Sequence, residues 1–321
     1  MNDVQNRTLA QYQATTDQVG IGHIYQASCQ LGVFTSLLDG QKTAIQLADE
    51  CQLQLDPLCR LLECLRQLGV IEQYEDDFAL SPATQLFMQH ESDLGSYRWD
   101  SLSSVLREGS AGEREAITGL RNRRMAGQWS ATAAALELVG ILGSGQGTAQ
   151  KQVLDLGCGI GVWSLALAHH DPGIQLTLAD DPVTLAGARA TASSIGLADR
   201  LTMLEGNYRE VELPAESFEM VLITELLSLE AEEGQRKLLQ RAHRALKPSG
   251  ELVVVDLFAG QPKGELTISI LALEMGLASS EAGPCEPHQL QQLLGETGFE
   301  QPSFAHLEAP PYLYGTLVSK R

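Results

Sequence analysis

The run Val153-Leu154-Asp155-Leu156-Gly157-Cys158-Gly159-Ile160-Gly161 reads as a buried strand, a glycine-rich turn and the opening of a helix. Glycine in such a turn permits a tight bend and a close approach of backbone N–H groups to a ligand. Counted from Gly157, the dinucleotide fingerprint GxGxxG needs a glycine where Val162 stands, which weakens a nicotinamide reading. Downstream, Leu176-Thr177-Leu178-Ala179-Asp180 ends a second strand on an acid nineteen residues after Gly161. An acid at that spacing can accept hydrogen bonds from both hydroxyls of a ribose.

Outward from this turn, strand candidates alternate with helical stretches: Gln152–Leu156, Gln175–Ala179, Leu201–Glu205, Met220–Thr224 and Glu251–Leu257, with a final pair around Ser303–Leu307 and Tyr312–Val318. Such alternation predicts an α/β fold with an open, mostly parallel sheet covered by helices on both faces. The first ninety residues follow another pattern. In Asp56-Pro57-Leu58-Cys59-Arg60-Leu61-Leu62-Glu63-Cys64-Leu65-Arg66-Gln67-Leu68-Gly69, apolar residues recur at helical spacing. Asp56 is the expected N-cap, Pro57 the first helical residue and Gly69 the stop. Val70–Tyr74 and Phe78–Leu80 flank Glu75-Asp76-Asp77 as a short hairpin, and Ser81-Pro82 opens another helix. Helices followed by a small β wing describe a winged helix. The run Gly143–Thr148 reads as a flexible connection. Arg121, Arg123 and Arg124 read first as a solvated helix face, the other reading being that they line a site or a subunit contact.

The form D-x-G-x-G-x-G at 155–161 resembles motif I of class I S-adenosylmethionine-dependent methyltransferases. The whole chain is similar to the dimeric small-molecule O-methyltransferases of the plant caffeic-acid and bacterial antibiotic type. The resemblance is carried by Leu31-Gly32-Val33-Phe34, Arg60-Leu61-Leu62, Leu246-Lys247-Pro248-Ser249-Gly250-Glu251-Leu252 and Leu293-Leu294-Gly295-Glu296-Thr297-Gly298-Phe299. It implies an N-terminal winged-helix dimerisation domain over 1–110 and a Rossmann-like methyltransferase domain with a seven-stranded sheet over 111–321. S-adenosylmethionine would lie on Asp155, Gly157, Gly159, Gly161 and Asp180, with Asn207 and Tyr208 at the adenine and Thr224 nearby. Asn122-Arg123-Arg124-Met125 resembles the family's covering helix, with Met125 over cofactor and substrate and Trp129 one turn on.

The chain departs from that family after the fourth strand. Where O-methylating members carry His-Asp-Trp, the residues here are Ser228, Leu229 and Glu230, and Thr224 replaces a frequent basic residue. Serine cannot take a proton near neutral pH as imidazole can. A positioned base contributes roughly 10²–10⁴-fold. The expected reaction is therefore methyl transfer to a carbon, an amine or an acidic oxygen of a small organic acceptor in secondary metabolism. Glu225, Ser228 and His288 are the catalytic candidates, and Glu274 a further residue facing the substrate. The alternatives are a decarboxylase or cyclase on the same cofactor-binding scaffold, or a non-catalytic dimer.

Charge narrows the partners. With 22 basic and 41 acidic residues the formal charge is −19, so neither nucleic acid nor an anionic membrane is expected as a partner. No apolar run approaches the roughly 20 residues that span a bilayer. The start, Met1-Asn2-Asp3-Val4, lacks the apolar core of a secretory signal, so a cytoplasmic protein is expected. The six cysteines have no CxxC spacing and read as free buried thiols, with no metal site.

Overall fold

A computed structural model describes residues 3–88, 99–109, 114–143 and 150–321. The chain divides into two compact units, Met1–Ser101 and Leu102–Arg321. The boundary expected near 110 and most of the 143–148 connection lie outside the described residues.

In the first unit, helices α1 (Asp3–Gln30) and α2 (Val33–Leu38), strand β1 (Lys42–Thr43) and helices α3 (Ala44–Glu50) and α4 (Leu55–Gln67) precede a hairpin of β2 (Ile71–Tyr74) and β3 (Asp77–Leu80). Helix α5 (Pro82–Met88) follows. The antiparallel sheet has the order β1-β3-β2. Leu58, Leu62 and Leu65 of α4 are buried in one core with Phe34, Leu47 and Ile71, as the helical spacing requires. The start of α4 differs from expectation: Gln54 is its N-cap, and Asp56 and Pro57 lie inside the first turn. Both residues are favourable there, because the first-turn N–H groups lack intrahelical acceptors and the helix dipole attracts an acid. All six cysteines are free, but Cys59 and Cys64 are exposed on α4 and only Cys158 and Cys285 are buried.

The second unit opens with α6 (Leu102–Glu108), α7 (Arg114–Gly127) and α8 (Thr132–Ile141). It continues with β4 (Lys151–Leu156), α9 (Val162–His170), β5 (Ile174–Asp180), α10 (Pro182–Ser194), β6 (Leu201–Glu205), β7 (Phe218–Thr224) and α11 (Glu232–Ala245). Last come β8 (Leu246–Leu257), α12 (Glu265–Ala278), α13 (Pro287–Glu296), β9 (Glu300–His306) and β10 (Tyr314–Lys320). The seven strands are ordered β6-β5-β4-β7-β8-β10-β9, with β10 antiparallel to both neighbours. Alternate residues face two separate apolar layers: Val253 and Val255 of β8 join one, Leu252 and Val254 the other. That double burial explains why the strands read as continuous apolar runs.

This order positions the site. From β4 the chain winds outward through β5 and β6, then returns to β7 on the other side of β4. A crevice forms at the carboxyl ends of strands at such a switch point, where ligands of open α/β sheets bind. Because β10 runs antiparallel, its first residue, Tyr314, pairs with Leu257 at the carboxyl end of β8 and so reaches the same edge.

Candidate active site

At the end of β5, Asp180 is fully buried. Its Oδ1 accepts from the Asp181 amide at 2.9 Å, and its Oδ2 accepts from the Gly159 amide at 3.0 Å and from Arg121 Nη2 at 2.5 Å. The next residue, Asp181, caps α10. Beside Asp180 lies a cavity of about 260 Å³, lined among others by Arg121, Asn207, Tyr208 and Arg209. The Tyr208 ring has the Arg121 guanidinium 4.7 Å and the Arg209 guanidinium 4.6 Å from its centroid. Its hydroxyl donates to Glu230 at 2.8 Å, and burial together with that carboxylate raises its pKa. Asn207 Oδ1 accepts from the Arg209 amide at 2.9 Å.

The turn after β4 is shaped by what it faces. Gly157 and Gly159 have φ of 74° and 60°. A Cβ on Gly157 would lie 2.7 Å from Leu226 Cδ2, and one on Gly159 2.8 Å from Gln128 Oε1. The left-handed φ at both positions disfavours any side chain, while the atoms such a side chain would meet are the movable ends of Leu226 and Gln128. The Ile160 amide donates to Gln128 Oε1 at 3.0 Å. A small cavity is bounded here by Arg121, Arg124, Met125, Gln128, Gly157, Gly159, Thr224 and Glu225. The Thr224 hydroxyl is buried with no hydrogen-bond partner.

Beyond the end of β7 lies a dense polar cluster. Glu225 occupies the left-handed region with φ of 53°, unusual for a side chain of its size. Its Oε1 accepts from Trp163 Nε1 at 2.9 Å and Gln128 Nε2 at 3.3 Å, and its Oε2 accepts from the Tyr314 hydroxyl at 3.2 Å. Burial pushes the Glu225 pKa upward, against the pull of Arg124, whose Nη2 stands 3.7 Å from Oε2. Ser228 Oγ donates to Asp256 Oδ1 at 2.6 Å and accepts from Arg124 Nη1 at 2.9 Å. Asp256 Oδ2 accepts from the Ser228 amide at 3.0 Å.

Several sequence expectations change. Arg121 and Arg124 are not a solvated face: their side chains are 11% and 13% exposed, and each pairs with buried acids. Both line cavities at the sheet edge instead, because α7 turns that face onto it. Trp129 is exposed on the 3-10 turn Gln128–Ala131, and its neighbour Gln128 is the residue pointing inward. The tighter turn rotates the side chains away from the α-helical register assumed for Trp129. His288 is exposed in the first turn of α13 and is not brought to the cluster. Glu274 is buried in α12 with Arg123 Nε at 3.7 Å, and it lines neither cavity. Asp155 is buried beneath the turn, where Oδ2 accepts from Ser164 Oγ at 2.6 Å. Gly161 is the N-cap of α9 with φ of 80°, and a Cβ there would crowd the Leu165 side chain of the same helix at 3.2 Å. Gln128, Trp163, Asp256 and Tyr314 were not singled out from the sequence. Asp256 did leave a signal, as the one charged residue in Leu252-Val253-Val254-Val255-Asp256-Leu257.

Residues 153–250 match the family profile described as a methyltransferase domain. The chain is 28% identical to a mitomycin biosynthesis 6-O-methyltransferase from Streptomyces lavendulae over 71% of each chain. It is 26% identical to the N,N-dimethyltransferase OxyT from Streptomyces rimosus over 92% of this chain and 91% of that one. This chain is an S-adenosylmethionine-dependent methyltransferase. The crystal structure of human N-acetylserotonin methyltransferase in complex with S-adenosylmethionine superposes on the methyltransferase with a TM-score of 0.71 and 21% identity, over 100% of this chain and 98% of that one, and so shares its fold. Among the described residues, no helix of the methyltransferase is long and apolar enough to cross a membrane.

Proposed function

We propose that the methyltransferase transfers a methyl group to a small organic acceptor of secondary metabolism whose nucleophile needs no strong base: an amine, an activated carbon or an acidic oxygen. The observation that carries this reading is the state of Ser228. Its hydroxyl proton is given to Asp256, and its oxygen accepts from Arg124. The position where O-methylating relatives of the plant and antibiotic type carry a histidine therefore offers no free proton acceptor.

The residues present fit the donor. Gly157 and Gly159 hold left-handed backbone angles that favour glycine, Asp180 presents a carboxylate at the end of β5, and the cavity beside Tyr208 adjoins it. The unpartnered Thr224 hydroxyl borders the same edge. In this reading Asp180 holds the ribose, Tyr208 and Asn207 the base, and the glycine turn the centre of the molecule. When bound, S-adenosylmethionine supplies a methyl carbon on a sulfonium, a good leaving group. The chain's own contribution is alignment of the nucleophile, and orientation can be worth about 7–11 kcal/mol. Met125 lines the small cavity and covers that region, and Glu225, whose pKa burial raises, accepts the proton of an O–H acceptor. A homodimer through the first unit belongs to the same reading. Leu9, Tyr12 and Val19 are exposed at helical spacing along α1, an apolar stripe suited to a second copy.

Isothermal titration with S-adenosylhomocysteine tests the donor assignment. Asp180→Ala should weaken binding at least tenfold, about 1.4 kcal/mol or more. Unchanged affinity would refute the ribose role. Incubation with S-adenosylmethionine and amine, phenol and enol acceptors should give products one methyl heavier.

A further inference from the structure

We infer that Arg121 sets donor affinity by competing with the donor for Asp180 and Tyr208. The inference rests on the assignment of these two residues to the ribose and the base.

One guanidinium occupies both groups at once. Arg121 Nη2 is 2.5 Å from Asp180 Oδ2, and the guanidinium carbon is 4.7 Å from the centroid of the Tyr208 ring. Nη2 also lies 3.5 Å from the Gly157 carbonyl oxygen, and Nη1 is 3.9 Å from Asp181 Oδ2. Each Asp180 oxygen already accepts one backbone amide, from Asp181 and from Gly159. A carboxylate has about four acceptor sites, so Arg121 takes capacity that a ribose diol would need. The arginine is also mostly buried, with 11% of its side chain exposed. Its charge is held there by Asp180, Asp181 and the Tyr208 ring, so it is a cation lodged among the very groups that would receive a nucleoside.

The competition is unequal in kind. Ribose hydroxyls are neutral and cannot replace the charge compensation that the guanidinium gives Asp180. The donor carries a sulfonium, so the two cations repel if both crowd this edge. Binding therefore requires Arg121 to leave Asp180. Arg121 shares a face of α7 with Arg124, three residues on, and Gln128 follows one turn after that, on the Ile160 amide. The measured dissociation constant is the intrinsic one divided by the fraction of molecules in which Asp180 is free of Arg121. Where the paired form outnumbers the free form by about ten to one, removing the guanidinium tightens binding by about tenfold.

The experiment is isothermal titration of S-adenosylhomocysteine into the full-length wild type, Arg121→Met and Arg121→Gln, each checked by thermal melting. Methionine keeps the apolar stem and removes the charge; glutamine keeps polarity and length. Both variants should bind about tenfold or more tightly than wild type. Stopped-flow tryptophan fluorescence should show a binding rate that saturates with ligand in the wild type and rises linearly in Arg121→Met. If the wild type binds and both folded variants bind equally or more weakly, Arg121 supports the donor and the inference is wrong, while the donor assignment stands. If neither the wild type nor any variant binds, the donor assignment itself fails and the inference with it.

Discussion

Replacing Asp256 with asparagine should destabilise the Leu102–Arg321 unit by about 3–5 kcal/mol, the cost of breaking a buried ion pair from one side. Asp256 is fully buried. Its Oδ1 accepts from Ser228 Oγ at 2.6 Å and the Leu257 amide at 2.8 Å, with Arg124 Nη2 at 3.5 Å, and its Oδ2 accepts from the Ser228 amide at 3.0 Å. Asparagine conserves the volume but turns one oxygen into an NH₂ that faces N–H or O–H donors on either side. It also leaves Arg124 with Glu225 as its remaining carboxylate, 3.7 Å away, and burial already biases Glu225 toward the neutral form. For a unit of this size each kcal/mol moves Tm by about 2–4 °C, so the melt should fall by about 6–20 °C. Urea unfolding followed by circular dichroism should show a lower midpoint with an unchanged slope. Adding Arg124→Met removes the stranded charge, so the double variant should lose less than the two singles combined, by about 0.5–3 kcal/mol. A single variant within about 0.5 kcal/mol of wild type would refute the reasoning, because it would place Asp256 outside any buried network. Strict additivity would show that Arg124 and Asp256 do not depend on each other.

Two further outcomes follow from local geometry. Burial pushes the pKa of Asp155 from 3.8 up to about 7, and its Oδ1 has no hydrogen-bond partner. The folded state therefore keeps a proton that the unfolded chain releases, and stability falls as pH rises between those values. Asp155→Asn should gain in Tm relative to wild type, more at pH 8 than at pH 5; an equal difference at both would contradict the assignment. Asp181 accepts from the amides of Val183 at 3.1 Å and Thr184 at 3.0 Å at the start of α10. Asp181→Ala should cost about 1–2 kcal/mol of stability in thermal or urea unfolding, and no loss would show that the cap is not needed.

Much of the edge proposed for the donor was legible because its signals are local. Glycines 157 and 159 and the strand-ending Asp180 follow from chain geometry within thirty residues of one another. The cluster around Ser228 was not legible as a cluster. It joins Arg124 from α7, Trp163 from α9, Glu225 and Ser228 after β7, Asp256 from β8 and Tyr314 from β10. The departure at Ser228 could be read as a missing base, but not that its hydroxyl is held between an arginine and an aspartate. Likewise the three arginines of α7 have the spacing of a solvated face, and nothing in that spacing reveals the buried acids opposite.

The sequence by itself determined the alternation of strands and helices, the glycine turn, the acid that follows it, the excess of negative charge and the absence of a histidine after the fourth strand. These are properties of periodicity, composition and short spacing, which act along the chain. Only the tertiary structure decided which candidates meet. The sheet order sets β4 beside β7 and turns β10 around, bringing Tyr314 to the carboxyl edge. The packing of α7 drives Arg121 onto Asp180, and the tighter turn after it points Gln128 inward and leaves Trp129 outside. Such contacts join residues far apart in the chain, 132 positions for Arg124 and Asp256, and burial then sets their charge and strength.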